Sequence, residues 1–537
     1  MIWTLLACTT ATVGDSEAPG ARYESLPEAL LLRRMSLDLR GVTPTLDELE
    51  RLEQDPEALD ELRREFLDDP RLEDRLVSFF AERWHTRLDE FQVGAPDYHL
   101  PGDLEFELER SVGEEPLRLM ARIAYDDRPW TDIVTADHSM ANPLLGQIWE
   151  LDYPAGSQGW REVHYDDGRP AVGVLATNGL WWRYTTNSSN MNRSRAAAIA
   201  RLLLCQDLLS RPVSLDGAIQ LDEEDGTAEA ISTVPGCVAC HATIEPLAAS
   251  LFGFWTVIGY NPDELSSYHP EREQLGPVYL GVQPGYYGQP IEGLVELGAA
   301  IANDSRFYRC AAQSAAEALW RRPVGTRDFR TIDELRRGFL VDGLLYRELL
   351  VRVTDTEEYR AGALGPAATE EDLQRERTWR MQSPDQLSTS VEELTGFLWT
   401  WQGFEQLAND DPGYRVLAGG VDGWAVTRPQ QDPGLTWAIF VERLAQAAAA
   451  HTVDRELVDG GARRLLLQVE LTDRPGDPAW DEDLAQVYLR LFAELPSDEE
   501  LSEVQEIWTQ LESSEGPAEA WKLLLSALLR DPRFVGY

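Results

Sequence analysis

Apolar runs with helical spacing and marked ends recur along this chain, and they constrain its fold more than any other feature. Residues 26–39 (LPEALLLRRMSLDL) place apolar side chains three and four positions apart, the spacing of one helix face. Ser25 with Glu28, and then Thr45 with Glu48, have the spacing of a capping box, which satisfies free N–H groups where a helix begins. The pattern predicts successive helices joined by short turns.

The same order of signals returns in two later parts of the chain. A helix predicted over 483–494 leads to a capping box of Ser497 with Glu500 and to a further helix over 520–530. A looser copy spans 309–359. The recurrence predicts a repeated helical-hairpin unit, although any helical protein can reuse these capping residues. Both interpretations predict a mainly α, multi-domain helical protein.

The net charge of the chain is strongly negative. Its 537 residues include 93 acidic and 48 basic side chains, which gives a net charge of −45. Nucleic-acid binding needs a basic stripe, and adsorption to anionic lipid needs clustered positive charge. The composition therefore predicts no nucleic-acid partner and no direct adsorption to a membrane surface.

Shifts in composition divide the chain into six predicted segments. They are a lipoprotein-like signal and tether (1–20), an N-terminal helical domain (21–135), a loop-rich segment with a helix (136–235), a segment holding a cysteine motif and a helical unit (236–360), a linker (361–390), and a C-terminal helical domain (391–537).

The first residues resemble the end of a bacterial lipoprotein signal. A short apolar run from Met1 ends at Cys8, which follows a small residue and would carry the lipid. The run lacks a basic n-region and is shorter than a usual signal, so a frayed apolar terminus is the alternative. No other segment reaches the eighteen or so apolar residues of a spanning helix. The prediction is membrane attachment only through this lipid anchor.

The sharpest motif is Cys237-Val238-Ala239-Cys240-His241, the C-x-x-C-H pattern of covalent c-type haem attachment. The spacing suits the chemistry, because two thiols add to the two vinyl groups of one porphyrin edge. The next residue then presents an imidazole to the iron. We therefore predict haem c as the cofactor, bound by Cys237 and Cys240, with His241 as the proximal iron ligand.

Three other interpretations of this motif remain open. A zinc site needs two more ligands, and no second paired motif is present. A thioredoxin-type dithiol needs a strand before a helix, whereas Val234-Pro235-Gly236 is interpreted as a turn. A structural disulfide between the two cysteines, or an inert pair of thiols, is the third alternative.

The sixth iron ligand is not specified by any motif. Methionine would raise the reduction potential relative to a second histidine, and an open position would permit ligand chemistry. The preferred candidate is Met191, in a polar segment that is otherwise a simple capping loop before a helix predicted over 194–209. Arg193 and Arg195 in that region are candidate partners for haem propionates. The other candidate ligands are Met140, His138, His164 and His269.

Two cysteines remain outside these motifs. Cys205 ends an apolar stretch and Cys310 follows Arg309. Haem attachment implies an oxidising, extracytoplasmic compartment, where a disulfide between the two would persist. Two separate buried thiols are the equal alternative.

Several stretches resemble the surface-cytochrome families of planctomycetes and myxobacteria, which are built from domains of unknown function around one C-x-x-C-H. The order of the stretches, rather than any one besides the motif, makes the resemblance. It implies an exported, mainly helical haem protein and supplies no substrate. The sequence departs from the family after the motif, where Glu245-Pro246-Leu247-Ala248 replaces a common Asp-Pro-x-Gly-Phe-Ala. The similar stretches are 33–48, 171–205, 235–260, 286–322, 413–428 and the closing LLLSALLRDPRF.

Two functions follow as hypotheses. The first is an exported c-type haem protein with an electron-transfer or redox role at the cell envelope, in the periplasm or on the outer membrane or cell surface. Its redox partner or envelope partner would carry a basic face, because the chain is acidic. The second is a surface scaffold in which the haem is structural. An enzyme is the least supported interpretation, because no nucleophile–base constellation is present.

Overall fold

The computed structural model describes residues 21–208, 210, 229–231, 233–256, 261–410 and 413–537. These residues form helices with a few short strand pairs, so the predicted mainly α, multi-helical architecture is confirmed. Cys8 and the predicted signal over 1–20 lie outside the described residues. No helix in the described part of the chain is long and apolar enough to cross a membrane.

Some helices follow one another after a few residues, whereas others are separated by long connections such as 149–177 and 396–434. The described helices α1 to α23 are, in order, Glu28–Arg40, Leu46–Gln54, Ala58–Asp68, Arg71–Trp84, Glu105–Tyr125, Pro143–Ile148, Asn178–Arg183, Arg193–Leu204, Pro235–Ala249, Pro262–Ser266, Leu275–Leu280, Leu294–Ala302, Ser305–Trp320, Phe329–Val341, Tyr346–Thr354, Glu357–Arg360, Glu370–Arg375, Pro384–Thr395, Leu435–Val453, Pro478–Phe492, Asp498–Glu515, Pro517–Leu528 and Pro532–Val535.

Four two-stranded antiparallel pairs lie between the helices, and one of them joins distant parts of the chain. β1 pairs with β6, while β2–β3, β4–β5 and β7–β8 are pairs of strands adjacent in sequence. The strands β1 to β8 are Tyr23–Ser25, Ser139–Ala141, Arg161–Val163, Gly285–Tyr286, Gln289–Pro290, Ala361–Leu364, Thr400–Trp401 and Phe404–Glu405.

Three corners between helices share one geometry. In each, the first helix ends on a residue in the left-handed conformation, a proline follows, and the N-cap of the next helical turn comes four residues after the left-handed residue. This common geometry supports a repeated helical-hairpin unit over incidental reuse of caps. The residue pairs are Gly41 and Thr45, Arg321 and Gly325, and Ala493 and Ser497.

Two of the three predicted capping boxes form. Thr45 Oγ1 accepts from the Glu48 N–H at 3.2 Å, and Glu48 Oε2 accepts from the Thr45 N–H at 2.8 Å. Ser497 and Glu500 make the same pair of bonds, at 3.2 and 3.0 Å. The predicted box of Ser25 with Glu28 is wrong. Ser25 lies in β1 and Pro27 is the N-cap of α1, with no side-chain cap bond.

The segment 361–390, predicted as a linker, is an ordered part of the fold. It holds β6, α17 and the start of α18, and β6 pairs with β1 at the other end of the N-terminal half. Some of its polar side chains donate hydrogen bonds to backbone carbonyls inside the fold. Composition alone does not reveal these contacts. Arg380 donates to the Tyr359 carbonyl at 3.2 Å and Gln386 donates to the Leu37 carbonyl at 2.9 Å.

Helix α1 connects the two ends of the described chain. The buried Arg33 guanidinium donates to the carbonyls of Leu491, Phe534 and Gly536 at 2.9 to 3.0 Å. One turn later, the carboxylate of Asp38 accepts from the hydroxyl of Tyr359 at 3.0 Å and that of Tyr537 at 2.5 Å. The C-terminal helices therefore pack against α1, although they have a separate apolar core.

Candidate functional site

Helix α9 carries the whole C-x-x-C-H motif. Val234 is its N-cap and Pro235 is its first helical residue, where the missing N–H of proline costs nothing. The interpretation of Val234-Pro235-Gly236 as a turn is therefore wrong, because the proline begins the helix rather than breaking the chain. The motif occupies the first two turns of α9.

The helical spacing places the three motif side chains together. Cys237, Cys240 and His241 lie at positions i, i+3 and i+4, so they share one face of α9. Both cysteines are free thiols, and all three residues are partly exposed. The second half of the helix is buried from Ile244 onward, which anchors α9 in the main core while its first half faces outward.

The ring of His241 is oriented by a carboxylate one turn later. His241 Nδ1 lies 2.6 Å from Glu245 Oε1, and the Glu245 side chain is only 7% exposed. A carboxylate at this distance accepts a hydrogen bond, so this contact favours the ring tautomer with the proton on Nδ1, in which the lone pair is on Nε2. Nε2 is therefore the nitrogen available to a metal, and Glu245 is its supporting partner.

Glu245 remains ionised by virtue of two neighbours. Burial alone would raise the pKa of this carboxyl, but the hydrogen bonds from His241 and Arg193 outweigh burial and hold the pKa below its ordinary value. Arg193 Nε lies 2.7 Å from the same Oε1 atom. The other oxygen, Oε2, is buried and has no hydrogen-bond partner among the described residues.

Arg193 links the motif to the turn that holds Met191. Met191 and Asn192 both adopt left-handed backbone conformations, with φ of 50° and 66°, which non-glycine residues seldom do. Local hydrogen bonds hold this turn, including one from the Met191 N–H to the Asn187 carbonyl at 2.9 Å and one from the Asn192 N–H to Thr186 Oγ1 at 2.8 Å. Met191 is partly exposed in this turn, two residues from a contact of Glu245.

The other proposed ligands and propionate partners have structural surroundings of their own. His138 is buried beside Asp137 and Arg128, and His164 pairs with Asp152. Met140 lies buried in β2, and His269 lies near Glu264 and Glu271. Arg195 donates to the carbonyls of Tyr184, Phe254 and Trp181, which occupies its guanidinium; burial lowers its pKa to about 9.

Cys205 and Cys310 form a disulfide with an S–S distance of 2.18 Å. Cys205 follows the last residue of α8, which ends at Leu204 rather than at the predicted 209, and Cys310 lies in α13. Of the two alternatives, pairing or separate thiols, the structure has the pairing. The bond joins helices on either side of the motif in sequence, because α9 lies between them in the chain.

Sequence reasoning missed Glu245. The signal was present, since a glutamate four residues after a histidine on a helix shares its face. The interpretation of the motif's start as a turn removed the helix on which that argument depends. Within the residues that the structure describes, no group of three or more histidine, cysteine, aspartate or glutamate side chains is arranged to hold a metal ion.

Comparison with known protein families gives a match over one segment of the chain. No curated protein and no solved structure matches the chain. The matched segment begins within α1, includes α2 to α6, and ends before α9. Over residues 35–151 the chain is similar to the family PSD4, described as a protein of unknown function (DUF1592).

Proposed function

We propose that this chain is an exported c-type haem protein that carries electrons or has another redox role at the cell envelope. The observation that supports this most directly is the shared, outward face of Cys237, Cys240 and His241, with His241 Nδ1 held by Glu245. Several stretches of the chain also resemble surface-cytochrome families, and the order of these stretches supports the proposal. The family that residues 35–151 match has no known function, so this match suggests no activity.

Each motif residue has a distinct role in this proposal. The thiols of Cys237 and Cys240 would hold the haem through thioethers, and Nε2 of His241 would be the iron ligand. Glu245 holds the proton on Nδ1 and so makes the imidazole a stronger electron donor. Haem c, when attached, supplies one-electron exchange. Met191, which is partly exposed in its turn, is the proposed sixth ligand, because a methionine would raise the reduction potential relative to a second histidine.

The proposed location is extracytoplasmic. A disulfide between Cys205 and Cys310 suits an oxidising compartment, which covalent haem attachment also requires. Cys8 would carry a lipid anchor. If it does, Cys8→Ser should release the protein from the membrane fraction; unchanged fractionation would contradict the anchor.

The proposed redox partner has a basic face. The net charge of −45 would steer such a partner toward the protein and would be screened by salt. Exchange rates should therefore fall as ionic strength rises, and a rate independent of salt would contradict this part of the proposal.

The deciding experiment is a visible spectrum of the full chain produced with the haem-maturation machinery. The expected result is sharp α and β bands on reduction, from haem that stays attached after denaturation. Cys237→Ala with Cys240→Ala should abolish covalent attachment. The control, Cys205→Ser with Cys310→Ser, removes the same number of cysteines outside the motif and should retain it. The absence of these bands from the wild-type protein would contradict the proposal.

The second candidate is a surface scaffold in which the haem is structural. Its supporting observation is the separate apolar core of the C-terminal helices, which lies away from α9 and includes Trp480, Trp508 and Trp521 in mutual ring contact. Binding of an envelope partner that survives Cys237→Ala would favour the scaffold. Reversible electron exchange with a soluble donor would favour the redox role.

A further inference from the structure

A cavity of about 230 Å³ lies among the N-terminal helices α1, α4 and α5 and helix α18. Its walls are rich in guanidinium groups, although the chain as a whole carries a net charge of −45. Three carboxylates, those of Asp74, Asp385 and Glu405, also line it. The arginines that line it are Arg40, Arg71, Arg75, Arg87, Arg110 and Arg118.

The buried carboxylates near the cavity are shared among several arginines. Glu114, which is only 2% exposed, contacts Arg87 at 3.1 Å, Arg110 at 2.9 Å and Arg118 at 2.8 Å. Arg87 also contacts Asp385 at 3.2 Å. Most other guanidinium groups of the wall have a carboxylate partner as well. The contacts are Arg118 with Asp74 at 2.6 Å, Arg40 with Glu48 at 2.7 Å and Arg71 with Asp69 at 2.6 Å.

The pKa of Asp385 reflects the positive charges around the cavity. Burial alone would raise the pKa of this carboxyl, but Arg87, Ser78 and Arg75 outweigh burial and lower the pKa to about 2. A carboxyl that remains ionised in a buried site is one sign that the local field favours negative charge.

Arg75 is the least satisfied group in the wall. The residue is 5% exposed, and no carboxylate in the described part of the chain lies within ion-pair distance of it. Its Nε donates to the Asp38 carbonyl at 3.3 Å, and its Nη1 is buried without a hydrogen-bond partner there. Arg87 Nε is buried and unpartnered in the same way.

The corner at Gly41 makes room for Arg75. Gly41 has φ of +76°, and a Cβ at this position would lie 3.0 Å from Arg75 Cδ and 3.8 Å from the Thr389 side chain. The glycine therefore lets α4 and α18 approach the corner closely, with the Arg75 side chain between them.

We propose that this cavity is a binding site for a small oxyanion, anchored by Arg75. Burying an ionised guanidinium without a carboxylate is costly, and arginine does not lose its proton. An oxyanion in the cavity beside the Arg75 guanidinium would supply the negative partner that this group lacks among the described residues. The half-exposed side chains of Arg71 and Arg110 form the rim through which it enters.

The size of the cavity limits the ligand. Its volume corresponds to roughly seven or eight water molecules at their share of liquid volume. Inorganic phosphate fits with room to spare, and so does a small polycarboxylate. Both present charged oxygens to guanidinium forks, and the site is independent of haem attachment.

The test is calorimetric titration of the full chain in a low-salt chloride buffer. The probes are inorganic phosphate, sulfate and citrate, so that tetrahedral oxyanions and carboxylates are compared. The expected result is saturable binding of at least one probe at a single site. Arg75→Gln should weaken it by about tenfold or more, the loss expected for a charge-assisted hydrogen bond.

Two further variants make the test specific. Arg330→Gln removes the same charge from an exposed position on α14, where the side chain is 89% exposed, and should leave binding unchanged. Arg110→Gln on the rim replaces Arg75→Gln if the latter fails to fold, as judged by circular dichroism. No saturable binding of any probe, or an equal loss in Arg330→Gln, would overturn the proposal.

Discussion

One contact on helix α9, between His241 and Glu245, governs the chemistry of the His241 ring. The hydrogen bond from Nδ1 fixes which ring nitrogen faces outward, and the nearby Arg193 guanidinium partly offsets the charge of the carboxylate. The ligand strength of His241 should therefore depend on the balance between these two neighbours.

Glu245→Gln should raise the midpoint potential of the haem-loaded protein, because a neutral amide donates less electron density through the imidazole. The expected rise is about 60 mV, the one-electron equivalent of a tenfold change in relative ligand affinity. A spectroelectrochemical titration measures it, and Glu245→Asp should restore part of the shift.

Arg193→Gln is the matched control, because it removes the positive neighbour and leaves Glu245 more effective. The potential should move in the opposite direction, downward. Shifts of the same sign in both variants would mean that the contacts only support the fold.

At the scale of the elements, the capping boxes were predictable because each uses residues three positions apart and needs no distant partner. Thr45 with Glu48 and Ser497 with Glu500 are such cases. Ser25 with Glu28 has the same spacing but forms no capping box, because Pro27 is the N-cap of α1 and Ser25 pairs with β6 as part of β1.

These caps make a quantitative prediction. Thr45→Ala and Ser497→Ala should each lower the free energy of unfolding by about 1 kcal/mol, since each leaves a helix N–H without its acceptor. Ser25→Ala should change the free energy of unfolding little, although Ser25 also lies three residues before a glutamate. Urea unfolding followed by circular dichroism compares the three, and an equal loss in Ser25→Ala would contradict the observed start of α1.

The segment 361–390 could not be predicted correctly from composition. Its polar residues suggested solvent exposure, yet Arg380 and Gln386 lie buried and donate to carbonyls of distant elements. A polar side chain in sequence does not reveal whether its partner is water or a backbone group from another part of the chain.

For the whole molecule, Asp38 of α1 connects the middle and the C-terminal end of the chain through Tyr359 and Tyr537. Arg380 adds a longer contact of 3.7 Å to the same carboxylate. Through these two hydroxyl groups, the buried carboxyl group of Asp38 links three segments that are distant in sequence.

Tyr537→Phe should lower the free energy of unfolding by about 2 kcal/mol, the range for a hydrogen bond to a buried charge. The half-exposed Tyr414 provides the control, because Tyr414→Phe removes a hydroxyl without disturbing Asp38. The shift in the urea midpoint measures both. Equal small shifts would show that Asp38 does not stabilise the packing of the C-terminal helices.

The helical class and the motif residues were within reach of the sequence, since both depend on local spacing. The arginine-lined cavity was not, because α1, α4, α5 and the stretch around Asp385 come together only in the folded chain. Long-range assembly of like charges leaves no periodic trace in sequence.

The disulfide between Cys205 and Cys310 has a consequence for the order of maturation. Cysteines lie at positions 205, 237, 240 and 310, and these four residues allow six different single disulfides. Of these, only the Cys205–Cys310 disulfide leaves Cys237 and Cys240 both reduced. If the protein takes up haem as proposed, early formation of this bond would keep both thiols available, whereas a disulfide between Cys237 and Cys240 would block attachment.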